Sequence, residues 1–253
     1  MSLCLCTIVR NEERFLEGML RSVQGVVDRI VVVDTGSTDR SVEIARKFGA
    51  TVVFQPWQQD FSAPRNRAVE ELSDGWVLVL DADERLAPGV GTVLRSVLTR
   101  QDIDVGLLPL HNARSLDASP AAILSGEARQ GAPVLLARLF RWHPTLRWEG
   151  VIHESPRSYL EGRPTARIEA PLLHYGYVEQ LRAEKTAADR NLPLLQESCR
   201  RQPAEPLPFL YLGRELAMLG RSDEAAAALE RGWALLPGRL ALPSPPPLAG
   251  LPT

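Results

Sequence analysis

Asp81 and Asp83 stand two residues apart in WVLVLDADER (76–85), where an apolar run stops, and Glu84 follows directly. Carboxylates so spaced can divide the work around a hard divalent cation, which takes oxygen ligands and keeps open positions for phosphate oxygens. One carboxylate binds the metal while another takes a ribose hydroxyl, and the ion offsets charge on a departing nucleoside diphosphate. By itself D-x-D is weak evidence and more often the acidic loop after an ordinary strand; a fully apolar strand before it, in an alternating chain, gives it weight. Two further segments set acids in similar places. VVDTGSTD (32–39) has Asp34 at a tight glycine turn, suited to accept from a base imino group or a ribose hydroxyl, and TIVRNEE (7–13) puts Asn11 and Glu12 at a turn after another apolar run.

The elements that must hold these residues follow from periodicity. Leu3–Val9, Arg29–Asp34, Thr51–Phe54 and residues 76–80 read as short, continuously apolar strands. Between them lie helical stretches: residues 12–23 with Phe15, Leu16, Met19, Leu20 and Val23 on one face, residues 40–48 stopped by Gly49, residues 62 to about 72 with Ser62 as cap, and 88 to about 98. Such alternation predicts an α/β fold with a mostly parallel sheet flanked by helices. Ligands of these sheets bind beyond the carboxyl ends of the strands. That rule gathers Asn11–Glu12, Asp34 and Asp81/Asp83 at one edge.

After residue 104 the pattern changes. DVGLLPL and VLLARLFR read as strands, and residues 111–133 between them as a loop or a short helical insertion with a weak helical stretch at 121–124. RWEGVIHE and RIEAPLLHYGY add irregular β material. From Glu179 the chain reads as helical, and Phe209, Leu212, Gly213, Leu216, Ala225, Leu229 and Pro237 fit one 34-residue tetratricopeptide pattern. Small residues there let two helices approach closely. The predicted organisation is therefore a catalytic domain over 1–178, a helical tetratricopeptide-like region over 179–238, and a Pro-rich tail over 239–253, extended or disordered.

The bulk numbers narrow the function classes. With 253 residues and a formal net charge of −2, the chain has no basic field to hold nucleic acid or an anionic membrane. No apolar run approaches a membrane span, and MSLCLCTIVRNEE reaches charge too soon for a secretory signal. Three cysteines, Cys4, Cys6 and Cys199, form no disulfide framework and point to a reducing, cytoplasmic setting. Cys4 and Cys6 share one strand face and are expected in the core.

Taken together, TIVRNEERFLEGMLRSV, IVVVDTGSTDRSVEIARKFGA, FSAPRNRA and WVLVLDADER resemble family 2 glycosyltransferases of the GT-A fold. The later RLFRWHPTLRWEGVIHES and LLHYGY, followed by helices, resemble a bacterial subgroup in which that domain is fused to tetratricopeptide repeats, a subgroup that includes the sublancin-type peptide S-glycosyltransferase. The resemblance implies an inverting, metal-dependent transfer from a nucleotide sugar, a UDP-sugar, to a peptide, protein or saccharide acceptor. It places Glu12 and Asp34 at the uracil and ribose, Arg65 and Asn66 along the base and sugar pocket, Asp81 near ribose and metal, and Asp83 on Mn2+ or Mg2+. His174 is the candidate to complete the metal shell, since imidazole suits Mn2+. Glu154 is the favoured catalytic base and Glu149 the next, because a base must reach the acceptor directly; the alternative for Glu154 is a salt bridge. His111 and His143 are expected to be structural. The helical region offers a protein-contact or homodimer surface. Two other readings stand beside this one: a nucleotidyltransferase of similar fold, disfavoured by the acidic, glycine-free RNEE after the first strand, and a non-catalytic repeat-containing binding protein.

Overall fold

A computed structural model describes residues 1–176, 178 and 187–236. Its chain divides into two compact units, residues 1–187 and 188–253. In the first unit the elements run β1 (Leu3–Val9), α1 (Glu13–Val23), β2 (Arg29–Asp34), α2 (Ser41–Lys47), β3 (Thr51–Phe54), α3 (Ser62–Val69), β4 (Trp76–Val79), β5 (Glu84–Leu86), α4 (Gly91–Val97), β6 (Val105–Asn112), α5 (Pro120–Ser125), β7 (Val134–Arg141), α6 (Arg157–Leu160), β8 (Thr165–Arg167) and β9 (Leu172–His174). The strands form one sheet in the order β3-β2-β1-β4-β7-β6-β9-β5, with β8 paired to β6. β3, β2, β1 and β4 are parallel; the inner strands β2, β1 and β4 are apolar and largely buried, as a parallel sheet requires, while β3 is a half-exposed edge strand. β7 then runs antiparallel to both β4 and β6, so the second half of the sheet is mixed.

The strand alternation builds a core on each face. Leu3, Leu5, Val32, Trp76 and Leu78 join one cluster, together with Phe15, Leu16, Met19, Leu20 and Val23 of α1. Cys4, Cys6, Val31, Val33, Val77 and Val79 join the other, with Phe140, Trp148 and Tyr159. Both strand cysteines are therefore buried free thiols packed as small apolar groups.

Local chemistry moves several expected boundaries. The start of α3 is held by Asp60, whose Oδ1 accepts from the amides of Ser62 (2.8 Å) and Ala63 (3.2 Å); the Ser62 hydroxyl donates to the same oxygen rather than capping the helix itself. The acidic stretch after β4 is not all loop. Glu84 opens β5, a three-residue strand that pairs antiparallel with β9. The insertion between β6 and β7 contains α5, with Ser119 as its N-cap accepting from the Ala122 amide at 3.2 Å.

The second unit shows α7 (Ala187–Arg201), α8 (Pro206–Met218) and α9 (Ser222–Ala234). Leu216, Ala225 and Ala228 are buried, with Leu192 and Leu212 packed on them. Two glycines set the spacing of α8 and α9. A β-carbon at Gly213 would lie 2.5 Å from Leu229 Cγ, and one at Gly232 would lie 2.8 Å from Leu210 Cδ2. The expected helix over residues 179–186, the repeat's Pro237 and the Pro-rich tail lie outside the described residues. Among the described residues no helix is long and apolar enough to cross a membrane.

Overpacking a close crossing costs about 1–3 kcal/mol. Gly213→Val is accordingly expected to destabilise the α8–α9 pair by that amount in a denaturant melt followed by helical circular dichroism, with Leu229→Ala in the same chain recovering part of the loss. An unchanged midpoint for Gly213→Val would show that the crossing is not set by this glycine.

Candidate active site

The first two strand-end turns are sewn together before any ligand arrives. Asn11, at φ 56°, turns the chain after β1. Its Oδ1 accepts from the Thr38 amide at 2.7 Å, while its own amide donates to Ser37 Oγ at 3.0 Å. The Glu12 amide donates to Ser41 Oγ (2.8 Å) and the Glu13 amide to Asp39 Oδ2 (3.0 Å). Asp34 is buried at 4% exposure, and its carboxylate accepts from the amides of Gly36 and Ser37. The acid that sequence reasoning left for a nucleotide thus also closes its own turn, a short Asx arrangement.

Beyond β4 the acids meet arginines. Asp81 Oδ1 accepts from Arg65 Nη2 at 2.8 Å, and Asp81 Oδ2 accepts from Arg138 Nη2 at 3.0 Å. Arg65 Nε donates to Glu154 Oε1, and Arg138 Nη2 donates to Glu84 Oε1. Glu84 Oε2 accepts from the Asp81 amide at 3.1 Å, and its side chain is 2% exposed. Three carboxylates and two guanidiniums form one chain: Glu154–Arg65–Asp81–Arg138–Glu84. Burial alone would raise the Asp81 carboxyl, but Arg65 and Arg138 outweigh it and hold it well below the usual carboxylate range. Burial pushes Glu84 up against the pull of Arg138. Burial would lower the two guanidiniums, yet the facing carboxylates keep both firmly charged. Arg65 Nη1 and Arg138 Nε are buried donors with no partner among the described residues, a local cost of about 1–3 kcal/mol each.

This array changes the expected division of labour. Asp81, assigned to ribose and metal, has both oxygens on guanidiniums. Asn66, assigned to the pocket wall, is a clasp: its Nδ2 donates to the Trp148 carbonyl at 2.9 Å and its Oδ1 accepts from the Trp148 amide at 2.7 Å. The clasp holds the segment that ends in Glu149–Ser155, which is pinched by a two-way backbone pair between those residues. Glu149 is exposed at this neck, whereas the Glu154 side chain is 10% exposed and paired with Arg65. His153, between them, is exposed with φ 52°. His143 accepts from the Thr145 amide in a surface turn, and His111 is buried beside Arg129.

Asp83 and His174 form a second centre. In the sheet, His174 sits between Glu84 of β5 and Asn112 of β6. Its Nδ1 lies 2.7 Å from Asn112 Oδ1, so the N–H on that nitrogen donates to the amide oxygen, and Nε2 is directed at Asp83 Oδ1, 3.7 Å away. Burial pulls the imidazole down, but the carboxylates of Asp83, Glu84 and Asp81 outweigh it and raise it. Gly176 keeps the space beside the pair open. A β-carbon there would come within 1.9 Å of Asp83 Oδ2 and 2.9 Å of His174 Nε2.

The donor set fits a divalent cation. A ligating histidine usually gives its second ring N–H to a carbonyl or carboxylate, which is the role Asn112 fills. Among the described residues no cluster of three or more His, Cys, Asp or Glu could hold a metal; of these residues Asp83 and His174 would be the ligands, beside donor oxygens and water. Sequence reasoning missed Arg138 and Asn112. Arg138 carried a signal, being a cation in an otherwise apolar strand, VLLARLFR, where a buried arginine needs a partner. Asn112 carried none, because its role depends on strand register.

Removing Arg138 leaves the buried Glu84 carboxylate uncompensated. Arg138→Met is expected to cost about 3–5 kcal/mol of unfolding free energy, with Glu84→Gln in the same chain restoring part of it. A loss under 1 kcal/mol in a urea titration would remove the array from the fold's supports.

Comparison with known proteins agrees with this geometry. Residues 4–122 match the family model described as glycosyl transferase family 2. The TPR repeat-containing protein Synpcc7942_0270 of Synechococcus elongatus is 33% identical over 90% of this chain and 55% of its own length. The SPbeta prophage-derived glycosyltransferase SunS of Bacillus subtilis is 27% identical over 88% of this chain and 51% of its own. The chain thus spans about half the length of these relatives. Among solved structures, residues 1–349 of S. aureus TarS in complex with UDP-GlcNAc align with a TM-score of 0.53 at 14% identity, over 92% of this chain and 73% of that one. Over residues 4–122 the chain therefore matches glycosyl transferase family 2, and its fold is of the GT-A type.

Proposed function

We propose that the chain is an inverting glycosyltransferase that moves a sugar from a UDP-sugar to a peptide, protein or saccharide acceptor. The observation that carries this reading is the Asp83–His174 pair, its imidazole oriented by Asn112 and its gap kept open by Gly176, one residue pair away from the arginine–carboxylate array. UDP-GlcNAc binding by the structurally similar TarS fragment supports the donor class.

In this reading the sewn turns after β1 and β2 receive the nucleoside, with Glu12 at the base and Asp34 at the ribose. Asp83 and His174 would hold Mn2+ or Mg2+, whose charge offsets that on the departing diphosphate. Arg65 grips Glu154 through Oε1, which leaves Oε2 to take the acceptor's proton. As the acceptor oxygen or sulfur bonds to the anomeric carbon, the bond from that carbon to the diphosphate oxygen breaks, and its electron pair leaves with UDP. Attack opposite the leaving group inverts the anomeric centre. Asp81 then acts by position, fixing Arg65 beside Glu154 and Arg138 beside Glu84. Helices α7–α9 supply the surface for a peptide or protein acceptor, in keeping with the repeat-containing relative.

Saturating UDP with Mn2+ is expected to raise the melting temperature of the wild type, and Asp83→Ala to abolish the shift. A wild-type melting curve indifferent to UDP–Mn2+ would sink the proposal. Glu154→Gln should keep that shift while lowering transfer about 10²–10⁴-fold, and Glu149→Gln should leave the rate within a few-fold. Released UDP, measured over a panel of UDP-sugars, reads the donor; release of pyrophosphate from a nucleoside triphosphate and a sugar phosphate would point to nucleotidyl transfer instead.

A further inference from the structure

Successive residues of a strand point to opposite faces. Glu84 and its register partner His174 face the array and Asp83, so Arg85, its partner Leu173, and Tyr175 face the other way. There they line an open cleft of about 730 Å³, together with Ser22 at the end of α1, Pro88 after β5, and Leu116. Volumes of about 300–1,000 Å³ are those of small-molecule sites.

Arg85 is held in place there. Its guanidinium lies 4.3 Å from the centroid of the Tyr175 ring. It also lies over Gly18 of α1, where a β-carbon would come within 2.6 Å of Nη2 and 2.7 Å of both Cζ and Nε. A side chain at position 18 would meet the guanidinium and push it aside. Stacking covers the faces of a guanidinium and leaves its in-plane N–H donors unused. Among the described residues, no carboxylate pairs with Arg85 and no acceptor takes its donors. The cleft's other cation, Arg21, is already paired with Glu17 at 2.5 Å. Asp117 lines the same cleft and is exposed.

We propose that this cleft binds a small anionic ligand, whose carboxylate or phosphate is gripped by the in-plane donors of Arg85 and whose apolar body lies on Leu116 and Pro88. A planar guanidinium matches either anion with paired hydrogen bonds. The site is separate from the nucleotide end of the sheet and does not depend on glycosyl transfer. It is joined to that end through β5, which carries Arg85 on one face and Glu84 on the other.

The test uses the full chain, stripped of metal, titrated by calorimetry with inorganic phosphate and separately with citrate, at constant ionic strength against chloride. Saturable heat and a raised melting temperature with at least one of the two anions are expected, and which one responds tells phosphate from carboxylate. Arg85→Gln should weaken binding at least tenfold, Arg85→Lys should weaken it by keeping the charge without the fork, and Asp117→Asn should tighten it by removing a like charge. Asp83→Asn should bind as the wild type does, which separates this cleft from the metal centre. Absence of saturable binding over chloride overturns the proposal, as does binding that survives Arg85→Gln but is lost in Asp83→Asn. Should Arg85→Gln fail to fold, Asp117→Asn carries the test, and no tightening there overturns it.

Discussion

Five charged side chains from five places in the sequence share one partly buried ion network, and the candidate site is arranged around it. Arg65 comes from α3, Asp81 from the end of β4, Glu84 from β5, Arg138 from β7 and Glu154 from the GVIHES segment. Isolated ions would not survive there, because removing a charge from water costs several kcal/mol that a single imperfect pair does not recover. Chained together, each guanidinium serves two carboxylates and each end carboxylate is held by one guanidinium. The consequence is positional: the GVIHES loop, the strand that leads into D-x-D, and the antiparallel half of the sheet cannot shift independently.

The network also leaves a surplus. Three carboxylates face two guanidiniums, and Asp83 lies next along the chain outside the network. Its near neighbour is His174, delivered by β9, with a tautomer set by Asn112 of β6. Gly176 completes the arrangement by what it lacks, since any larger residue would fill the gap between carboxylate and imidazole. The arginines hold the three network carboxylates rigidly, while Asp83 and His174 stand beside them outside that network.

Much of the first half of the fold was legible. β1, β2 and β4 are apolar because both of their faces are covered, and α1 buries the same five residues that its spacing picks out. The clustering of Asn11, Asp34 and Asp81/Asp83 at strand ends followed from the rule for parallel sheets. The later half was harder because its strands are antiparallel or very short. β5, β8 and β9 have three residues each, too few for any periodicity to register.

Residue types and spacing by themselves determined the α/β class, the strand-end acids, the buried cysteines and the close approach of α8 and α9. Those are local or periodic properties, written in neighbouring side chains. Tertiary structure decided which acid does what. Asp81 and Asp83 are equivalent in DAD, and the turn that follows β4 sends one to Arg65 and Arg138 and the other toward His174. Asn66 became a clasp, Glu154 an arginine's partner, and Arg85 a cation without an acid, each through contacts between residues far apart in the chain. Pairing of that kind depends on register and on which face of a strand is turned inward, and a one-dimensional pattern does not carry either.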